Sequence, residues 1–304
     1  MMTEVEVSTD PAVKRLRLRF KTLCRGSFNR LSSNVEQIRN TVSEICGKGT
    51  DLMAEAGDGP EGVALRRYFF YSLAQQVVSR AEGDQFDASD YEAAWPIAAV
   101  AVEVAAAEPT LAATLRALLR RDCPYLVPEV SFDSRGMNDA AVRRRLGWRE
   151  GETLDKHVRR MQNLVVVAGA IMQAPLPRGA SGAAMDPSRH PLPLSEGWKW
   201  LARLLNQLAA FRRRGEPLPA PTAPVLEVFL RIAGNAMERA YGRQFQKLVE
   251  VVSMAVVPQL EDKTVVPHLL DSLLADFRRN RGKFAPPKGR KALESGIPWG
   301  AVAS

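Results

Sequence analysis

The chain has 304 residues, 46% of them hydrophobic and 25% charged, with a formal net charge of +8. That length allows two average domains or one elongated helical domain, in a composition ordinary for a folded globular protein. No run approaches the roughly 18 apolar residues of a membrane-spanning helix, and three widely spaced cysteines (Cys24, Cys46, Cys123) suit a reducing compartment better than a disulfide framework.

Residues 1–12 begin with an acidic segment that has no apolar core, so they read as a flexible N-terminus rather than a secretory signal. From there the apolar positions recur at helical spacing. Val13, Leu16, Phe20 and Leu23 form one stripe, and Val35, Ile38, Val42 and Ile45 a second. Residues 14–20 alternate superficially, but the first stripe predicts a helix with basic groups beside it, not a strand. Leu65, Phe69, Leu73 and Val77 continue the pattern. Residues 97–107 are apolar but short and interrupted by Glu103, which predicts a buried helix; Leu111, Leu115, Leu118 and Leu119 follow. The longest periodic segments are 154–172 and 226–257, and residues 174–193, rich in Gly and Pro, predict a mobile connection. Shorter breaks at 56–60, 82–87, 124–128 and 215–224 fall where helix pairs would turn. The expected fold is all-α, a HEAT-like solenoid of antiparallel helix pairs, with one helical domain over residues 13–284 and a tail over 285–304.

Residues 189–206 have a residue order that core packing alone does not require. A proline-stiffened loop leads to Ser195, assigned as helix N-cap, after which Leu194, Trp198, Leu201, Leu204 and Leu205 share a face. Trp198 is therefore assigned to the core. Trp200 lies about 160° around the helix, at about 100° per residue, and is read as packing against a neighbouring helix pair or facing a partner. Trp299, near the tail, is a candidate for partner contact or for folding back.

No catalytic constellation stands out. His157, His190 and His268 lie on separate elements with no Cys or carboxylate at metal-ligand spacing. His157, among Lys156, Arg159 and Arg160, reads as part of a solvated face, and His190 as a loop-fixing hydrogen-bond partner. Gly179 to Gly182 lack the lysine and preceding strand of a phosphate loop. Cys123 has arginines nearby but no base, so it reads as a small packed residue. The chain is expected not to be an enzyme. Its charge is concentrated at residues 14–21, 116–121, 143–149, 212–214 and 278–291, which implies a polyanionic partner: nucleic acid, an acidic protein, a phosphoinositide head group or a soluble polyphosphate. A basic helical-repeat protein that binds RNA directly is one reading. A membrane-surface role is another, with no insertion element to support it.

Several ordered elements resemble the C-terminal domain of the Gle-one mRNA-export factor family. Cys123-Pro124-Tyr125-Leu126-Val127-Pro128 resembles its "CPY.VP" segment, Leu146-Gly147-Trp148 its "GW" element, and Arg160-Met161 through Gln173 its "RM…Q" helix. His190-Pro191, then Gly197-Trp198-Lys199-Trp200-Leu201-Ala202, resembles "HP…GW.WLA". Gly234-Asn235-Ala236 with Tyr241 and Gln244-Phe245 resembles "GNA…Y..QF", and Pro287-Lys288-Gly289 its "PKG". The resemblance implies a HEAT-like or MIF4G-like domain that binds and stimulates a DEAD-box mRNA-export helicase at the cytoplasmic face of the nuclear pore. It also implies an FG nucleoporin on the C-terminal helical region, RNA met only through the helicase, and inositol hexakisphosphate as the bridging cofactor. Carried over position by position, the polyphosphate residues are Lys21, Gln75, Arg120, Arg121, Arg149 and Lys247. Gln75 departs from the family's lysine, and Asp122 stands where a second basic residue would be expected and repels phosphate. Both departures weaken the site. Each position also has a plain structural reading. Arg120 and Arg121 would complement a helix dipole, Lys247 would pair with Glu250, and Arg149 would be a solvated loop charge.

Overall fold

Caps and prolines set many of the helix boundaries. Asp10 accepts hydrogen bonds from the amides of Ala12 and Val13, and Asn34 from those of Glu36 and Gln37, each satisfying first-turn donors that a helix leaves unpaired. Pro11 opens the first turn of the helix that Asp10 caps, and Pro60 that of another, where no amide is needed. The computed structural model describes residues 2–83, 91–178, 183–260 and 265–290. Among them the chain forms α1 (Met2–Val7), α2 (Pro11–Asn29), α3 (Val35–Glu55), α4 (Pro60–Glu82), α5 (Ala94–Ala107), α6 (Pro109–Asp122), α7 (Asp139–Arg145), α8 (Leu154–Ile171), α9 (Leu194–Arg214), α10 (Thr222–Tyr241), α11 (Arg243–Val251) and α12 (Val265–Arg279). No strand occurs among the described residues, which hold one isolated bridge, Arg178 to Ala184. The all-α reading is correct.

Contacts divide the chain into two compact units. The first holds Met1–Leu118, Ala174–Pro191 and Gly289–Ser304; the second holds Leu119–Gln173 and Leu192–Lys288. In the first unit α2 packs on α3 and α4, and α3 on α5, so partners are near in sequence as in an array of helix pairs. Every residue of the Val13 and Leu65 stripes is buried, and Phe20 meets Phe69 at 5.0 Å. The α5 helix is apolar on all sides and buried, as its composition predicted. Two expectations change here. Residues 1–12, read as flexible, contain α1, whose Val5 is buried and whose Val5 and Glu6 carbonyls accept from the Arg17 guanidinium. The 174–193 connection, read as mobile, is tied at its described ends: Arg189 donates to the Ala106 carbonyl at 2.9 Å and Arg116 to that of Pro191 at 3.3 Å. His190 fixes this loop through the Ala174 carbonyl, 2.9 Å from Nε2, as expected.

In the second unit α10 packs against α8, α9, α11 and α12. The periodic run 226–257 is not one helix: α10 stops at Tyr241, Gly242 turns the chain, and α11 leads into a π-helical segment, Val252–Val256. The α9 helix corrects two assignments. It begins at Leu194 with Pro193 as N-cap, so Ser195 lies inside the first turn and caps nothing. Its buried face is Gly197, Trp200, Leu201, Leu204 and Leu208. Trp200 is therefore the core tryptophan, 3% exposed, against Phe229 at 4.2 Å, with its Nε1–H donating to the Tyr125 carbonyl. Trp198 is half-buried, 4.9 Å from Tyr241. The cause is Gly197, where a Cβ would lie 3.1 Å from Met172 Sδ and 3.3 Å from Met237 Sδ. A ranking of helix faces by side-chain size gives no weight to the glycine at the point of closest approach.

Candidate polyanion-binding site

The last turn of α6 carries Arg120 and Arg121 to solvent at a helix C-terminus, where cations complement the dipole. The chain then turns through Cys123, Pro124 and Tyr125, with Cys123 and Tyr125 buried. Burial pushes the Cys123 thiol up to about 12, so it is a packed, protonated residue as expected. Pro124 rests on Gly147, where a Cβ would lie 2.7 Å from Pro124 Cδ and where φ is +77°, a conformation that favours glycine. The "CPY" and "GW" elements thus touch.

Arg160 joins these turns. Its guanidinium donates to the Asp122 carbonyl at 3.1 Å, to the Gly147 carbonyl at 2.6 Å, and to both carboxylate oxygens of Glu152 at 2.8 Å. The Arg160 and Glu152 side chains are 6% and 7% exposed. Glu152 Oε2 also accepts from the Arg149 amide at 3.0 Å and lies 3.3 Å from His157 Nδ1. His157 stacks on Trp148 at 4.2 Å with ring planes 9° apart, and Arg143 lies over the same indole at 4.4 Å. The solvated-face reading of His157 is thus overturned: it is 1% exposed, because the indole and the carboxylate enclose it. Burial alone would raise the Glu152 pKa, but the hydrogen bonds from Arg160 and Arg149 hold it at about 2. Burial pushes His157 below the usual imidazole range, with Glu152 opposing.

The knot fixes the end of α6 to the 147–152 segment, so it brings the exposed residues Arg121 and Arg149 onto adjoining pieces of backbone. Arg121 does not present an open fork. Its Nε and Nη2 donate to the two Asp122 carboxylate oxygens at 2.7 and 2.8 Å. Lys247 stands elsewhere in the unit, exposed on α11, and forms no ion pair with Glu250 or any other described residue.

The other two candidates lie in the first unit. Lys21 is exposed on α2, with its ammonium 5.9 Å from the Tyr68 ring centroid. Gln75 is half-buried on α4, seven residues beyond Tyr68 and so on the same face, within 3.4 Å of Ser79 Oγ. The basic strip around Lys21 is partly neutralised: Arg15 and Arg19 pair with Glu55, and Arg17 caps α1. Reading the sequence missed Glu152 and took Arg160 only as a letter in a motif. The available signal was a carboxylate directly before a capping Thr153, inside a segment rich in arginine.

A family model described as GLE1-like protein matches residues 2–253. The mRNA export factor GLE1 of Rattus norvegicus is 33% identical over 195 residues, covering 63% of this chain and 26% of that protein. The Danio rerio mRNA export factor GLE1 is 30% identical over 204 residues, covering 66% and 27%; that of Drosophila melanogaster is 28% identical over 258 residues, covering 83% and 35%. The chain thus spans about a quarter to a third of the length of these relatives. A solved S. cerevisiae assembly of a Dbp5 C-terminal domain variant with Gle1 and IP6 has a similar chain, with a TM-score of 0.75, 21% identity, and coverage of 93% of this chain and 90% of that one. That likeness establishes the fold.

Proposed function

The chain belongs to the GLE1-like family, and on that premise we propose that it is an mRNA-export factor. It binds and stimulates a DEAD-box RNA helicase at the cytoplasmic face of the nuclear pore and in the cytoplasm, acting as a regulator rather than as an enzyme. The observation that carries this reading is the family match over residues 2–253, with exposed cations at the positions the resemblance assigned.

Inositol hexakisphosphate would bridge chain and helicase, and the residues present fit such a group. In the second unit Arg120, Arg121, Arg149 and Lys247 are exposed cations that would hold phosphate oxygens, the arginines by paired hydrogen bonds and Lys247 as a point charge. In the first unit Lys21 remains a candidate cation, and Gln75 offers only a neutral donor. When bound, the ligand supplies a dense set of acceptors that two proteins can share. The Arg160–Glu152 knot holds two of the donor segments before the ligand arrives, which lowers the ordering cost of binding. An FG nucleoporin on the C-terminal helical region belongs to the same proposal; Val251, Met254 and Leu269 there are 44%, 80% and 45% exposed. Trp299, the other partner candidate, lies outside the described residues.

The test is the ATPase rate of the organism's own export helicase with the purified chain, with and without inositol hexakisphosphate. Stimulation that grows with the ligand is expected. A helicase rate unmoved by the chain in both conditions would overturn the proposal.

A further inference from the structure

A second basic cluster lies in the second unit, built from residues other than those assigned to the polyphosphate. Residues 131–145 and 211–216 carry seven arginines against three carboxylates. The structure brings the two segments together at one loop. Ser131 accepts from Arg214 Nη1 at 2.9 Å, its own amide donates to Gln207 on α9 at 2.9 Å, and Arg145 lies over the Phe132 ring at 4.3 Å. The arginine-rich ends of α7 and α9 therefore flank a single loop, with Phe132 between them. Two of the acids are already occupied: Asp133 binds Arg135 and Glu216 binds Arg214. Arg143, Arg144, Arg145, Arg212 and Arg213 remain exposed, and Asp139 is the remaining acid of these two segments. Helix C-termini account for about half a charge each, far less than three arginines apiece.

We propose that this surface binds single-stranded RNA directly. The inference goes beyond helicase stimulation and departs from the expectation that RNA is met only through the helicase. Three observations select RNA among polyanions. All the cations are arginine, whose planar fork takes a phosphate bidentately and also stacks on bases. Aromatic rings are interleaved with them: Arg145 lies over Phe132 at 4.3 Å and Arg214 over Phe211 at 5.0 Å. Stacking platforms beside a basic track are what sequence-tolerant single-strand binding requires. Among the described residues the exposed large apolar side chains (Val7, Leu18, Val63, Leu154, Val251, Met254, Leu269) lie on other segments, so the surface lacks the broad apolar face of a membrane-surface helix.

The experiment uses the full chain alone, without helicase or inositol phosphate, so its failure leaves the helicase reading untouched. Fluorescence anisotropy with a labelled 20-nucleotide oligouridine is measured from about 50 to 200 mM salt. Arg144→Ala/Arg145→Ala/Arg213→Ala should weaken binding at least tenfold and lower the salt slope by about two to three, near one per lost phosphate contact. A charge-matched control in the first unit, Arg15→Ala/Arg19→Ala/Arg30→Ala, should stay within twofold. Phe132→Ala, which keeps every charge, should weaken the single strand several-fold and leave a duplex of equal length unchanged. Melting curves confirm that each variant is folded, and Arg145→Lys gives an intermediate loss if the triple variant is not. The proposal fails if the triple variant binds like the wild type, or if the control loses as much. It fails equally if polyglutamate or phosphatidylserine vesicles bind where oligouridine does not.

Discussion

Asp122 occupies the guanidinium that a polyphosphate would use. Arg121 reaches both carboxylate oxygens, at 2.7 and 2.8 Å, while the Asp122 side chain is 13% exposed and that of Arg121 54%. A phosphate docking on Arg121 must displace the carboxylate or bind beside it. Asp122→Asn removes the charge and keeps the side-chain volume, and the Asp122 carbonyl that accepts from Arg160 is untouched. A unit charge about 6 Å from another interacts by about 0.7 kcal/mol in water, and the exposed arginine puts this pair near that limit. For a dianionic phosphate the repulsion doubles to about 1.4 kcal/mol, a tenfold change in Kd. Calorimetry with inositol hexakisphosphate at fixed salt should therefore show the Asp122→Asn chain binding about tenfold more tightly. Its melting temperature should shift little, since the arginine of the pair is open to solvent and such pairs contribute about 0–1 kcal/mol. Unchanged or weaker affinity in a folded variant would refute the assignment of Arg121 to the ligand.

Arg160→Met should destabilise the second unit by about 3–5 kcal/mol in urea titrations, because it leaves Glu152 buried without its partner; a loss under about 1 kcal/mol would show that the knot contributes little. Trp200→Phe strips the donor from the buried Tyr125 carbonyl and should cost about 1–3 kcal/mol, whereas Trp198→Phe should cost less, and equal losses would contradict the assigned burial. Stability should fall with acid. The Glu152 pKa is held at about 2 against an ordinary 4.5, and that of His157 lies below 6.5, so both bind more protons unfolded than folded. Their stabilisation is complete above pH 6.5, declines as His157 and then Glu152 titrate, and is lost toward pH 2. Urea midpoints that stay flat from pH 7 to 4 would exclude this linkage.

The amphipathic helices were legible because their buried stripes are made of large side chains: Val13, Leu16, Phe20 and Leu23 needed no tertiary information. The exchange between Trp198 and Trp200 was not legible, because the face of α9 is chosen by the contact at Gly197 and by a carbonyl far away in sequence. The break at Gly242 was hidden inside an apolar period that continues on both sides. Of the candidate site, the cations could be placed by resemblance and the acid at Asp122 could be read as unfavourable. That its carboxylate fills the Arg121 fork depends on side-chain geometry. The Arg160–Glu152–His157 knot was the least legible part, since buried charges are paired only by the fold, and each member taken alone looks like a solvated residue.

The motif residues and the candidate binding residues play different physical parts. Pro124, Gly147, Arg160, Gly197 and Trp200 make close or buried contacts that set where backbone segments lie, and substitutions there act on stability. Arg120, Arg121, Arg149 and Lys247 are exposed, and the folded state needs little from their charge. A glutamine at position 75 or an acid at position 122 changes what the surface attracts. The same separation explains how one unit can present two basic surfaces. The exposed Arg143 lies on Trp148, which stacks on the buried His157 of the Arg160–Glu152 knot, so the knot is linked to the α6 end through Arg160 and to the α7 arginines through Trp148. Anion preference can then be tuned at either surface by single exposed charges while the knot between them stays constant.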